Sequence, residues 1–325
     1  MFSTRIKVSV IAIAMIVCTA YLSAGQVPAP ATPTAPGQRA GGRGARGPND
    51  PWPGKKKLLL VADVQTGYHH DAINHAMAVV ERLGRESGAY VTFLRTDSEL
   101  ITKQPIVGQG KYTGSNINVK PLDFFDAVFL LPSGDGTMSE QQKQDLLAFV
   151  RDDGKGLIAG HAAGVAFTRK DATLTWPEWG DLIGGLMDRV NGHAGEFRAD
   201  AKIIVEDTNF PGAMAFGSPT FMFDEQHPVL MPPYSRDKVH VIMRLDPTSL
   251  TGQQRAMRPD GDFPVVWARQ YGKGRVYNVG WGELEVTYDN PGFQKMMLEG
   301  IKWALGMVPA DVTPKPLSRA AAPAK

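Results

Sequence analysis

Three short, uninterrupted apolar runs constrain the fold of this chain most strongly. They lie at residues 57–62, 126–131 and 156–159. A strand that is apolar at almost every position must be buried on both faces, as in a parallel sheet covered by helices. Helical patterns at residues 71–85 and 139–150 alternate with these runs. The alternation predicts an α/β protein with a mostly parallel sheet and helices on both of its faces.

The second half of the chain has a different pattern. Residues 197–205 and 239–245 are strand-like, and residues 265–279 predict a hairpin that turns at Gly272-Lys273-Gly274. An amphipathic helix at residues 291–305 closes the folded region. We therefore expect one domain in which antiparallel strands extend the parallel sheet.

The two ends of the chain differ from the middle in composition. Residues 1–25 contain two basic side chains, then the uncharged apolar run 8–22 and small residues, which is typical of a secretory signal peptide. Since about 20 apolar residues are needed to span a membrane, we expect an exported protein, periplasmic or secreted, without stable membrane insertion after cleavage. An uncleaved N-terminal membrane anchor is the alternative. Residues 26–54 and 309–325 predict a disordered tether and tail around a domain at residues 55–308.

Charge and cysteine content exclude several classes of protein. The formal net charge is +2, but residues 1–54 carry +4 and residues 309–325 carry +2, so the middle of the chain carries −4. An acidic body argues against a nucleic-acid-binding surface. The single cysteine, Cys18, lies inside the expected signal peptide. The mature protein therefore has no disulfide framework, cysteine nucleophile or thiolate metal site.

Two histidine-containing motifs follow predicted strands. The motif Gly-Tyr-His-His-Asp occupies residues 67–71, and Gly-His-Ala-Ala-Gly occupies residues 160–164. Because ligand sites in parallel sheets lie at the carboxyl ends of the strands, we expect His70 and His161 at one site. The second motif has the layout of a nucleophile elbow with histidine at its apex, which suits metal binding or proton transfer. We expect Asp71 to cap the following helix.

These and further motifs resemble the ThuA-like family, named for trehalose utilisation, whose fold is like that of class I glutamine amidotransferases. The resemblance implies a doubly wound, flavodoxin-like sheet, an elbow without the amidotransferase cysteine, and a sugar-related role. The family pattern usually has Gly-His where this chain has Gly282-Glu283, so a histidine-specific role does not carry over to that position. The matching motifs span nearly all of residues 57–306 and lie at 67–71, 156–163, 176–185, 191–193, 205–207, 223–225, 264–267, 274–277 and 300–304.

The candidate site residues fall into three groups. The candidate ligands for a divalent Zn, Mn or Fe ion are His70, His161 and His193. The candidate catalytic residues are His161, Glu225 and Glu283. The candidate substrate-binding residues are Tyr68, Asp71 and Trp281. A metal-free acid–base site built from the same groups is the alternative to metal binding.

The expected function is that of an exported carbohydrate enzyme, of the isomerase, lyase or hydrolase type and not an amidotransferase. It would act on a keto-sugar or disaccharide through His and Glu acid–base chemistry or metal-assisted proton transfer. A non-catalytic sugar-binding or accessory protein and a metal-dependent hydrolase are the alternatives. The expected partner is a small carbohydrate, with no nucleotide cofactor and no nucleic acid, and self-association into a homo-oligomer stays open.

Overall fold

The computed structural model describes residues 50–118, 120–169, 171, 173–188 and 195–317. Thirteen strands and six α-helices lie within these ranges. The strands are β1 (Lys56–Val61), β2 (Tyr90–Arg95), β3 (Ile106–Val107), β4 (Asn116–Asn118), β5 (Ala127–Leu130), β6 (Gly156–Ala159), β7 (Leu186–Met187), β8 (Glu196–Val205), β9 (Thr220–Pro228), β10 (Leu230–Met231), β11 (His240–Leu245), β12 (Pro264–Tyr271) and β13 (Gly274–Val279). The helices are α1 (Ala72–Ser87), α2 (Glu140–Arg151), α3 (Pro177–Ile183), α4 (Gly252–Ala256), α5 (Glu285–Asp289) and α6 (Pro291–Ala304).

Nine of these strands form one mixed sheet in the order β2-β1-β5-β6-β13-β12-β11-β8-β9. The first five strands in this order are parallel to one another. The remaining strands pair antiparallel with their neighbours. The expected α/β class and the antiparallel extension in the second half of the chain are confirmed.

Helices cover the parallel part of the sheet on both faces, which explains the uninterrupted apolar runs. Leu58 and Leu60 of β1 pack in the core formed with α1 and α6, whereas Leu59 and Val61 face the core formed with α2 and α3. All four side chains are fully buried. Because side chains alternate between the faces of a strand, each face needs its own apolar set.

The hairpin of β8 and β9 extends past the carboxyl edge of the sheet. β8 pairs with β11 only at residues 203–205, but it pairs with β9 along residues 196–204. Residues 196–202 of β8 therefore continue beyond the end of β11. The far end of the hairpin returns to the sheet at Pro228, whose ring packs against Gly280 after β13. The hairpin thereby covers the edge at which the parallel strands end.

The segment 309–317 differs from the disordered tail that the sequence predicts. Ala310 and Val312 pack against the core, and His240 Nδ1–H donates a 2.8 Å hydrogen bond to the Thr313 carbonyl. These contacts order a stretch whose composition alone gives no sign of burial. The predicted signal peptide, most of the tether and residues 318–325 lie outside the described residues, so export stays a prediction. No helix in the described part of the chain is long and apolar enough to cross a membrane.

We predict that Gly300→Ala destabilises the protein by about 1–3 kcal/mol, as overpacking of a core does. A Cβ at Gly300 in α6 would lie 2.1 Å from the ring of Tyr277, which is fully buried in β13. This clash should outweigh the roughly 1 kcal/mol that alanine gains over glycine in a helix. The control Gly252→Ala places its Cβ at the start of α4, where the nearest atom is a guanidinium nitrogen of Arg255 at 4.0 Å, an ordinary contact distance. Urea unfolding of both variants tests the prediction, and equal midpoints would contradict it.

Candidate active site

Three parallel strands deliver the candidate residues to one edge of the sheet. The loop after β1 carries Tyr68 and His70, the turn after β6 begins with His161, and the turn after β13 carries Glu283. Parallel strands that are neighbours or near neighbours end at the same level, so the residues that follow them meet. The structure brings His70, His161 and Glu283 into one cluster.

The cluster is centred on a single carboxylate oxygen. Glu283 Oε2 lies 2.5 Å from His70 Nδ1 and 2.8 Å from His161 Nε2. The two imidazole rings meet edge to face, with their centroids 5.3 Å apart. One suitable ligand atom from each of the three side chains lies within 4.8 Å of the other two. The donor set is therefore two imidazole nitrogens and one carboxylate oxygen.

A backbone contact fixes the orientation of the His161 ring. His161 Nδ1–H donates a 3.0 Å hydrogen bond to the Gly280 carbonyl, which can only accept, so Nε2 faces the cluster. The His161 side chain is almost fully buried. Burial alone would lower its pKa, but the hydrogen bond to Glu283 and the charge of Glu196 raise the pKa to about 9. The neighbouring carboxylates thus favour the charged form of this imidazole.

The Glu283 carboxylate is held in its ionised form. Burial raises the pKa of Glu283, but the hydrogen bonds with His161 and His70 outweigh this effect and lower the pKa to about 2. The side chain is only 22% exposed. An ionised carboxylate between two imidazoles can be stabilised either by a bound cation or by a proton on one of the imidazoles.

Glu196, the first residue of β8, is the functional candidate that the sequence analysis missed. Its Oε2 lies 3.5 Å from His161 Nε2, and its side chain lines the same cavity as Glu283. It reaches the site because the hairpin extends past the edge of the sheet. In the sequence, Glu196 only precedes the predicted strand at residues 197–205, and this position gives no distance to His161.

A cavity of about 480 Å³ opens beside the cluster. The exposed ring of Tyr68 stands at its rim, 4.9 Å from the His70 ring in an edge-to-face contact. Ser133 Oγ–H donates a 2.5 Å hydrogen bond to the Tyr68 carbonyl and joins the loops after β1 and β5. The other described lining residues are mostly polar, and they include Thr66, Gly134, Asp135, Val165, Thr168, Arg169 and Glu196.

Two predicted site residues lie behind the cluster instead of on the cavity. Glu225 and Trp281 are both fully buried. The Glu225 carboxylate accepts hydrogen bonds from the backbone of Gln226 and Gly282 and from the Thr287 hydroxyl. Trp281 Nε1–H donates a 3.0 Å hydrogen bond to His227 Nδ1. Neither side chain is placed to touch a molecule in the cavity.

The remaining predictions for the site have different outcomes. Asp71 is exposed and directly precedes α1, but its side chain makes no capping hydrogen bond. Its backbone is already helical at φ −61° and ψ −32°, so the expected cap is wrong: a capping residue has an extended conformation. Asp71 is not among the residues that line the cavity. The predicted ligand His193 lies outside the described residues.

Comparison with known proteins identifies the family. The sequence profile described as "Trehalose utilisation" matches residues 58–304, which is most of the chain. The chain belongs to the ThuA family. The matched region contains His70, His161, Glu196, Glu225 and Glu283. No curated protein sequence matches the chain.

Solved structures of ThuA-like proteins share the fold. One from Parabacteroides merdae aligns with a TM-score of 0.55 and 16% identity, over 79% of this chain and 93% of its own. Another, from Bacteroides uniformis, aligns with a TM-score of 0.53 and 14% identity, over 77% of this chain and 91% of its own. At these identities the likeness establishes the fold alone.

His227 generates a prediction about stability and pH. Burial lowers the pKa of His227 to about 4, and its ring is held neutral because Nε2–H donates to the Ala199 carbonyl while Nδ1 accepts from Trp281. The unfolded chain takes up this proton near pH 6.5, so stability falls as the pH drops from 6.5 towards 4. The total loss is on the order of 3 kcal/mol.

We expect His227→Gln to lack this component of the pH dependence. Urea unfolding of wild type and variant at pH 7.5, 6, 5 and 4.5 gives the difference directly. The free-energy gap between the two proteins should shrink as the pH falls below 6.5. A gap that stays constant over this range would contradict the assignment of a neutral, buried His227.

Proposed function

We propose that this ThuA-family protein is a carbohydrate enzyme that moves a proton next to a sugar carbonyl, with a divalent cation bound by His70, His161 and Glu283. The observation that carries the proposal is the convergence of two imidazole nitrogens and one carboxylate oxygen within 4.8 Å beside a cavity. The family description, trehalose utilisation, supports a sugar as the substrate.

The donor set supports the choice of cation. Two imidazoles and one carboxylate are typical ligands of Zn²⁺ and of Fe²⁺ in sites that keep open positions for water or substrate. His161 also has the second hydrogen bond that metal-bound histidines usually make, from Nδ1–H to the Gly280 carbonyl. Zn, Fe and Mn therefore fit the site, and a bound cation would polarise a substrate oxygen.

The position of Glu196 supports a role for its carboxylate in moving the proton. Its carboxylate lies 3.5 Å from His161 Nε2 and lines the cavity, which supports a role as the base that takes a proton from the carbon next to a sugar carbonyl. Glu196 takes this proton while the electron pair of the C–H bond moves towards the carbonyl. When the carbon that loses the proton carries a hydroxyl group, the hydroxyl proton passes to the former carbonyl oxygen and Glu196 returns its own proton to the former carbonyl carbon. The C=O bond then lies at the carbon that lost the proton, so this isomerisation balances in atoms and electrons without a redox partner.

Tyr68 supplies the recognition surface. Tyr68 is 71% exposed at the rim of the cavity, so its ring is accessible to a molecule bound there. Aromatic faces stack on the apolar faces of ligand rings while polar neighbours satisfy the ring substituents. Ser133, Asp135 and Arg169 are polar neighbours of this kind.

We predict that tag-free protein binds one Mn²⁺, Co²⁺ or Zn²⁺ and that His161→Ala and Glu283→Gln each weaken the affinity more than about 100-fold, beyond the loss typical of residues behind the ligands. Isothermal titration calorimetry measures the affinity. The matched control is His75→Gln, because His75 also pairs with a carboxylate, Asp289 at 2.8 Å, but has no third candidate ligand among the residues that the structure describes. A wild type that binds no cation, or a control that loses affinity equally, would contradict the cation site.

We also predict exchange of a sugar C–H proton with solvent. Glucose and the 3-keto derivatives of glucose and trehalose are incubated with the protein in D₂O and followed by proton NMR, with trehalose, which has no carbonyl group, as the negative control. Glu196→Gln should lower the exchange rate by about 10²–10⁴, the usual contribution of a general base. Glu285→Gln, which removes an exposed carboxylate two residues from Glu283, should keep the rate. Sugar binding without exchange would indicate a binding protein instead of an enzyme.

A further inference from the structure

Glu225 is a fully buried carboxylate directly behind the cluster. Its Oε1 accepts a 2.8 Å hydrogen bond from the Gln226 backbone N–H. Its Oε2 accepts a 3.3 Å hydrogen bond from the Gly282 backbone N–H and a second one from the Thr287 hydroxyl. Both carboxylate oxygens are thus used within the protein, and the side chain has no contact with the cavity.

The partners of Glu225 lie on both sides of the ligand Glu283. Gly282 directly precedes it, and Thr287 lies four residues after it in α5. Gly282 has φ +120°, a conformation that side chains rarely allow, and a Cβ there would lie 2.4 Å from the Tyr288 hydroxyl. The backbone that aims Glu283 is therefore a tight turn that Glu225 holds at its two ends.

The attachment of Glu225 to the rest of the fold is rigid. It lies in β9 opposite Ala199 of β8. A second link joins the same strand to the same turn, because Trp281 Nε1–H donates to His227 Nδ1. Burial raises the pKa of Glu225, so keeping a carboxylate here costs free energy that several hydrogen bonds must offset.

We infer that Glu225 is a positioning residue, which fixes the turn at Gly282 so that the Glu283 carboxylate meets both His70 and His161. This inference rests on the proposed function in so far as Glu283 is a cation ligand. It assigns Glu225 no contact with the substrate, in contrast to the catalytic role expected from the sequence. Groups that orient a metal ligand typically change metal affinity 10- to 100-fold when they are removed.

The first test measures cation affinity in conservative variants. Thr287→Val removes the hydroxyl that donates to Glu225 and keeps the side-chain shape, and Thr287→Ser restores the hydroxyl. Titration with MnCl₂ should show an affinity loss of about 10-fold or more for Thr287→Val and for Glu225→Gln, and rescue in Thr287→Ser. Glu206→Gln is the control, because Glu206 is a half-buried carboxylate paired with Arg236 and Arg244 away from the cluster. It should bind Mn²⁺ as the wild type does.

The second test works without a cation. Urea midpoints of Thr287→Val, Glu283→Gln and the double variant form a double-mutant cycle. If Glu225 and Thr287 orient the Glu283 side chain, the urea midpoint of the double variant should fall by clearly less than the sum of the decreases in the two single variants. The reason is that Thr287→Val alone already disturbs the contacts of Glu283 that Glu283→Gln removes.

The outcomes separate the two proposals. The positioning role of Glu225 would be overturned if the decreases in urea midpoint are additive and Thr287→Val binds Mn²⁺ with wild-type affinity, even if the wild type binds Mn²⁺. A wild type that binds no Mn²⁺ but gives a non-additive cycle would remove the cation site and support the positioning of Glu283 by Glu225.

Discussion

The contact of two imidazoles with one oxygen of Glu283 is the interaction on which the candidate site depends. It needs three strand ends at one level, and the parallel register of β1, β6 and β13 with the strands between them provides that level. Such a sheet can exist only with both faces covered, so the two apolar cores are a condition for the site as well as for the fold. The chemistry is thereby tied to the packing of the whole domain.

The buried polar groups behind the cluster have a structural role, unlike the groups that face the cavity. Glu225, His227 and Trp281 form their hydrogen bonds within the protein. Glu225 accepts from Gly282 and Thr287, and His227 accepts from Trp281, so these bonds link β9 to the turn that carries Glu283. Such groups are costly to bury, and they specify a single geometry only when every member has a partner. A site formed on loops becomes rigid because a strand of the extended hairpin holds one of those loops.

The sequence was sufficient for the fold class and for the location of His70 and His161, because both follow apolar runs that must be parallel strands. Strand geometry also accounts for the different surroundings of the adjacent residues Asp224 and Glu225, since neighbours on a strand point to opposite faces. Asp224 is indeed exposed and pairs with Arg198, whereas Glu225 is buried. Periodicity predicts the face of the strand on which a side chain lies, however, and not how far that side chain lies from the cavity.

That limit explains why Glu225 and Trp281 were expected in the cavity and why Glu196 was not. The depth of each residue depends on how far the hairpin of β8 and β9 extends past β11, which is a property of long-range register. The same holds for residues 309–317, whose ordering depends on contacts with His240 and the core. Local composition predicts neither the extension of the hairpin nor the contacts of residues 309–317.

The most direct test is anomalous X-ray diffraction from crystals grown with Mn²⁺ or Zn²⁺ and measured at the absorption edge of the metal. We predict one strong anomalous peak at bonding distance, about 2.0–2.3 Å, from His70 Nδ1, His161 Nε2 and Glu283 Oε2. The absence of a peak at the cluster, with His161 Nε2 still hydrogen-bonded directly to Glu283, would contradict the cation site.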